Sequence, residues 1–152
     1  MINGLFETHI NVLSLKRAMD FYENVLGLEL GIYEEGRRVA FYWIGKRGEA
    51  MIGLWEKPKE EIQIQHYAFR STLDDILNHS EKYLQKRNLD YYNFLRDNTK
   101  RPMVFAWMPA IAIYFNDPDG HILEFIAMID GKPQPELGIV SYEDWLKRNE
   151  LL

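Results

Sequence analysis

His9, His66 and Glu124 are the side chains in this sequence whose types, taken together, could bind a divalent metal, since two imidazoles and one carboxylate form a recognised donor set. Glu124 has the sharpest context. It follows Asn116-Asp117-Pro118-Asp119-Gly120-His121, in which Asp117, Pro118 and Gly120 suit the first, second and fourth positions of a type I turn. Ile111, Ile113 and Phe115 precede the turn, and Ile122, Leu123 and Phe125 follow it, so it joins two strands and carries Glu124 into the second. A carboxylate among apolar residues needs a partner, a metal or solvent, because burying an unpaired charge is costly. His9 lies in Glu7-Thr8-His9-Ile10-Asn11-Val12 and His66 in Ile64-Gln65-His66-Tyr67-Ala68-Phe69, and both segments read as strands. Their separation in sequence leaves each open to the plainer reading of a solvated or hydrogen-bonded strand histidine. Glu7 precedes His9 by two residues and shares its strand face, which makes it a candidate general acid or base.

The elements that must position these groups follow from periodicity. A strand is predicted over about residues 5–13, with Glu7, His9 and Asn11 on one face and Phe6, Ile10 and Val12 nearer the other. Ser14 is a good N-cap for a helix whose stripe is Leu15, Ala18, Met19, Tyr22, Val25 and Leu26 and which closes at Gly27. Strands are predicted over residues 28–33, 38–44 and 50–55, and the charged, Pro-containing run 56–61 reads as a linker. The pattern then recurs. Ser71 follows His66 by five residues, as Ser14 follows His9, with Thr72 and Asp75 as an alternative cap. Leu73, Ile76, Leu77 and Leu84 form the second stripe. A strand over 89–94, a basic loop over 96–102, a break at Pro109 and the two strands around the turn complete it. Strand, helix and three strands, given twice, predict an α+β fold of two βαβββ modules, their curled mixed sheets around a shared cavity. The expected layout is a single domain over 1–152, with modules at about 5–56 and 64–129 and a tail at 130–152. In the tail, Ser141 and Asp144 pair as a cap, and Tyr142, Trp145 and Leu146 give a short C-terminal helix.

Composition narrows the function classes. The 152 residues are 47% hydrophobic and 27% charged, as in a soluble globular protein long enough to bury a core. A net charge of -5 without a basic cluster argues against nucleic acid as partner. There is no cysteine, which removes disulfides, thiolate metal sites and a thiol nucleophile. Residues 1–4 lack the features of a signal peptide, and the longest nearly apolar run, 103–115, is broken by Pro109 and too short to span a bilayer. The expectation is a cytoplasmic protein with no membrane partner.

His9 with the helix that follows it, His66 opening a second such unit, and Asp117-Pro118-Asp119-Gly120-His121 leading to Glu124 together resemble the vicinal oxygen chelate superfamily. That superfamily holds glyoxalase I, fosfomycin-resistance thiol transferases, extradiol dioxygenases and bleomycin-binding proteins. The resemblance spans about residues 5–129 and implies the same paired modules. It implies a divalent metal ion (Zn, Mn, Ni or Fe) on His9, His66 and Glu124, a small-molecule substrate, and a homodimer. It also implies limits. The position where glyoxalase I carries a fourth, proton-moving glutamate falls on Gly53, and glycine can neither bind a metal nor move a proton. Glu56, three residues on, points to the opposite face of a regular strand. Dioxygenases add a further histidine as acid and base, whereas His79 reads as an exposed helix residue and His121 as a solvated turn residue. Fosfomycin-type transferases, in some members, place a hydroxyl where this chain has Asn11, and they use basic residues that Arg70, Lys100 and Arg101 could match. Glu7 is the catalytic candidate, and Asn11, Trp55, Arg70 and Tyr114 are the substrate-binding candidates. The expected function is a metal-dependent lyase, isomerase or thiol transferase acting on a small oxygen-chelating molecule, with the metal as Lewis acid. The alternative is a non-catalytic drug-binding protein of the bleomycin-resistance kind. Such binders generally lose the metal residues, and this chain keeps three.

Overall fold

The computed structural model describes residues 1–151. The chain divides into two compact units, Met1–Gln65 with Asp117–His121, and His66–Asn116 with the chain from Ile122 onward.

In the first unit, β1 (Glu7–Val12) leads to α1 (Leu15–Met19), which continues as a π-helical turn over Asp20–Val25. Strands β2 (Glu29–Glu34), β3 (Val39–Ile44) and β4 (Ala50–Glu56) follow. The sheet order is β1-β4-β3-β2, with β1 parallel to β4 and the other pairs antiparallel. The alternation along β1 is as predicted for the strand itself, with Ile10 and Val12 buried and the His9 face open. Phe6, just before it, is half exposed and its ring meets Trp43 edge-on. Ser14 caps α1 through a bond from Arg17 N. The helical stripe is shifted from its expected phase. Leu26 N–H bonds to Phe21 C=O, so the wider turn swings both Phe21 and Tyr22 into the core, while Met19, Val25 and Leu26 are only partly buried. Glu56 turns to the helix face, as its odd spacing requires. One carboxylate oxygen accepts from Leu15 N at 2.8 Å and the other is paired with Arg38. It thus caps the first turn of the helix instead of approaching His9.

In the second unit, β5 (His66–Arg70) leads to a π-helical turn over Asp75–His79 and α2 (Ser80–Lys86). Then come β6 (Tyr91–Tyr92), β7 (Met103–Phe105), β8 (Ala110–Asn116), β9 (Ile122–Met128), β10 (Ile139–Ser141) and α3 (Tyr142–Arg148). The sheet runs β10-β7-β8-β9-β5, with β6 also pairing β8. Thr72, not Ser71, caps the helical segment, receiving Asp75 N at 3.1 Å, so the five-residue step from histidine to cap does not repeat. Leu77 is exposed rather than part of the stripe. The strand expected over 89–94 shrinks to two residues, because the buried Asn93 side chain ties itself to Asp97 and Thr99 and turns the chain. The tail supplies a strand as well as a helix. β10 extends the sheet beside β7, and Trp145 is wholly buried, donating from Nε1 to Asp130 C=O at 2.9 Å. No helix among the described residues is long and apolar enough to cross a membrane.

Candidate active site

The turn between β8 and β9 is the type I turn its residues predict, with Gly120 N–H bonding Asp117 C=O at 3.0 Å and Gly120 at a φ of 87°. Asp117 organises it. Its Oδ1 accepts from the backbone N–H groups of Asp119 and His121, and its Oδ2 from the Tyr22 hydroxyl. Burial raises the Asp117 pKa, against the opposing pull of His121 and these donors. His121 corrects the sequence reading. It is fully buried rather than solvated, accepting from Gln65 N on Nδ1 at 3.0 Å and donating from Nε2 to Asn11 C=O at 2.8 Å. Nothing in the turn sequence signals this, since both partners come from elsewhere in the first unit.

Beyond the turn, β9 delivers Glu124. Across its ladders Glu124 stands opposite Ala68 on β5 and Tyr114 on β8, and His66 opposite Ile122. The pleat therefore puts His66, Arg70, Tyr114 and Glu124 on one face, and the reverse face packs under the helices. Glu124 is only 4% exposed. Its Oε2 lies 3.0 Å from His66 Nε2, and the Tyr114 hydroxyl donates to the carboxylate. Because Ile122 C=O can only accept, His66 Nδ1 must be the donor in their 3.1 Å contact. A neutral His66 then turns the lone pair of Nε2 toward a carboxylate. Two acceptors this close need a cation, a proton or a metal ion, to hold them. Burial raises the Glu124 pKa, while His66 and Tyr114 act to lower it. Burial also pushes the Tyr114 hydroxyl up, and the Glu124 charge adds to that.

The same face holds a cavity of about 320 Å³ lined by His66, Tyr92, Phe94, Arg96, Tyr114 and Ile122. Tyr92 and Tyr114 stack at 5.8 Å with 14° between their planes, and the Arg96 guanidinium lies 3.9 Å from the Tyr92 ring centre. Three buried side-chain atoms among the described residues have no partner: Tyr92 Oη, Asp119 Oδ2 and Glu124 Oε1. Two of them belong to this face, the pattern expected of a site that awaits a ligand. Tyr92, Phe94 and Arg96 escaped sequence reasoning. Only the register of Tyr92 opposite Tyr114 brings them here. Arg70 shares the face of β5 but stays exposed and does not line the cavity, and Lys100 is engaged by Asp90 at 2.7 Å.

His9 has a different setting in the first unit. The Trp55 indole N–H donates to its Nδ1 at 3.1 Å, so a neutral His9 carries its proton on Nε2, which faces Glu7 Oε1 at 2.5 Å. The Phe41 ring meets the imidazole edge-on at 5.4 Å. Gly53 lies opposite both His9 and Phe41. A Cβ at Gly53 would come within 2.8 Å of Phe41 Cε1 and 3.1 Å of His9 Cδ2, so the aromatic rings occupy the space that a side chain here would need. Counted from its histidine, the second unit carries Glu124 two pairs further along, opposite Ala68, where the first has Trp55 opposite Asn11. By either count β4 offers His9 no carboxylate, and Glu7 is the acid beside it. Asn11 donates to Glu61 C=O at 3.1 Å and, with His9, Glu60, Glu61, Gln63 and Gln65, borders a polar cavity of about 410 Å³. No group of three His, Asp or Glu side chains among the described residues is gathered as a ready metal cluster. The sequence candidates are brought together as two sets, His66 with Glu124 and Tyr114, and His9 with Glu7 and Trp55.

A family model described as the Glyoxalase/Bleomycin resistance protein/Dioxygenase superfamily matches residues 4–125. The chain is 31% identical over 124 residues to the metallothiol transferase FosB of Lysinibacillus sphaericus (strain C3-41), covering 76% of this chain and 75% of that protein. The crystal structure of integron cassette protein HFX_CASS4, from the mobile metagenome of the Halifax Harbour sewage outfall, aligns with a TM-score of 0.70 and 35% identity over 84% of this chain and 100% of that one. A lactoylglutathione lyase from Agrobacterium tumefaciens aligns with a TM-score of 0.62 over 83% of this chain and 94% of that one, and at 17% identity it shows likeness of fold alone.

Proposed function

The chain belongs to the glyoxalase, bleomycin-resistance and dioxygenase superfamily, and from that premise we propose that it is a metal-dependent transferase joining a thiol to a small oxygen-chelating molecule. One observation carries the metal: the buried Glu124 carboxylate, with Oε1 unpartnered, faces a lone pair of a His66 ring oriented from behind by a backbone carbonyl. Orientation of a ligating imidazole through its other nitrogen is the usual support of a metal site. His66 and Glu124 therefore fit a divalent ion as they stand. His9, the third donor proposed from the sequence, sits in the first unit with Nδ1 accepting from Trp55 and its proton on Nε2 toward Glu7, so it can serve as a metal donor only after that proton and the Trp55 bond are both given up. A bound divalent ion supplies Lewis acidity, drawing electron density from the substrate oxygens.

The remaining roles fall to this chain's own groups. Tyr114 holds the Glu124 carboxylate in place by donating its hydroxyl proton to it. Glu7, hydrogen-bonded to His9 Nε2, is the carboxylate proposed to take the proton of the incoming thiol. With an epoxide as electrophile, the sulfur bonds to a ring carbon, the adjoining C–O bond breaks, and the released oxygen takes up a proton. The name of the FosB relative favours thiol transfer over the lyase and isomerase readings, and neither Gly53 opposite His9 nor Trp55 opposite Asn11 offers the carboxylate that a glyoxalase I reaction would need. A homodimer in the cytoplasm completes the proposal, after the habits of the superfamily.

Metal content by plasma mass spectrometry, on protein purified without chelators or metal resin, tests it. About one equivalent is expected, lost in His66→Ala and Glu124→Gln. Protein that holds none, and takes up none from Mn, Ni, Zn or Fe(II), would refute the metal reading and turn attention to a ligand-sequestering role. Metal-loaded protein that leaves epoxide and thiol unconsumed would refute the transfer.

A further inference from the structure

The cavity beside His66 has walls that say more about its occupant than the metal donors do. Four of its six lining residues present aromatic rings: His66, Tyr92, Phe94 and Tyr114. The rings lean on one another. His66 is tilted 32° from Tyr114 at 5.9 Å, Tyr92 stacks on Tyr114, and Phe94 approaches Tyr114 at 6.3 Å. Rings braced against one another in this way keep the cavity aromatic-walled. Phe94 is 55% exposed, a large apolar ring left open to solvent at the border of the cavity. Its volume, about 320 Å³, is at the small end of the range for ligand pockets and suits a single ring with a short substituent.

The charge is equally one-sided. Arg96 is the one charged side chain lining the cavity besides a protonatable His66, and it makes no ion pair among the described residues. Its guanidinium carbon lies 3.9 Å over the Tyr92 ring, a cation–π contact that holds the group beside the cavity and leaves its N–H groups to donate. The backbone at Arg96 is left-handed, with a φ of 50°, as a tight turn requires after Asn93, whose C=O accepts from Arg96 N. An aromatic-walled cavity bordered by one guanidinium that makes no ion pair among the described residues matches a planar ring that bears an anionic oxygen group.

We infer that the cavity takes an aromatic acid, with Tyr92 and Phe94 as the residues that select for the flat ring and Arg96 as the anchor of its anionic group. This rests on the reading of His66 and Glu124 as the reacting end of the site. It narrows the small oxygen-chelating molecule to one whose ring lies against Tyr114. Such a substrate places its carboxylate at Arg96 and turns a ring or side-chain oxygen toward His66.

Isothermal titration of the full chain with four probes tests the inference: benzoate, cyclohexanecarboxylate (the same charge on a puckered ring), benzyl alcohol (the ring without the charge) and propionate. Benzoate is expected to bind about tenfold tighter than any of the other three. Arg96→Gln should weaken benzoate about fivefold, the scale of a solvent-accessible ion pair, and leave benzyl alcohol unchanged. Phe94→Ala should weaken benzoate and benzyl alcohol alike and leave propionate unchanged. Equal binding of benzoate and cyclohexanecarboxylate, benzoate unaffected by Arg96→Gln, or no binding of any probe would each overturn it. Metal content measured on the same samples keeps the two readings apart. Ring-selective binding by metal-free protein would uphold the aromatic acid and sink the metal, and metal-loaded protein that does not discriminate among the probes would do the reverse.

Discussion

His121→Ala is the most informative single change to the scaffold. The imidazole is fully buried and satisfies two backbone groups at once, the N–H of Gln65 and the C=O of Asn11. Truncation leaves both unpaired, at about 1–3 kcal/mol each. It also opens a ring-sized void, which adds about 1 kcal/mol or more. The expected loss is about 4 kcal/mol, a large part of the 5–15 kcal/mol that holds a domain of this kind together. For a chain of this length it corresponds to a fall in Tm of about 10 °C. Urea denaturation followed by circular dichroism, with an unchanged m-value, measures it. Metal content and probe binding should survive in protein that remains folded, because the ring's hydrogen bonds go to the backbone of Gln65 and Asn11 and support the turn. A loss under about 1 kcal/mol would refute the assignment of His121 as the tie between the turn and its surroundings. Loss of metal at full stability would instead make it a ligand.

Three further outcomes follow from the geometry. Gly53→Ala should cost about 1–3 kcal/mol in urea denaturation, since its Cβ meets Phe41 at 2.8 Å and His9 at 3.1 Å, and a neutral result would mean that the rings yield freely. Asp117 has a folded-state pKa raised above 3.8, so the folded state binds its proton more tightly than the unfolded one does. Its contribution therefore improves as pH falls through the raised value toward 3.8, and Asp117→Asn should abolish that segment when the two proteins' unfolding free energies are subtracted across pH 3–7. Trp145→Ala should lose about 3–5 kcal/mol and release β10 from hydrogen-exchange protection, and protection that persists would show that the tail strand holds without its anchor.

The sequence disclosed what depends on neighbours in the chain. The Asp-Pro-Asp-Gly turn, the Ser14 cap and the alternation of β1 are all local, and each is present. The outward turn of Glu56 was legible too, because strand parity alone decides it. What stayed hidden depends on residues distant in sequence. His121 is buried by partners at Asn11 and Gln65, and Tyr92 reaches the cavity only through its pairing with β8. Phe21 was missed because a single wide turn shifts the helical phase, and β7 and β10 because three-residue strands carry too little alternation to register.

Gly53 has a consequence for how members of this superfamily can change into one another. A glutamate there would have to enter against the rings of Phe41 and His9, so Gly53→Glu alone lowers stability before it offers any new donor. A smaller residue at position 41 must come first, and that change alone strips the packing from one side of His9. Each step is unfavourable without the other. The route from this site to one with a carboxylate at position 53 therefore crosses a fitness valley, and positions 41 and 53 are expected to vary together or not at all.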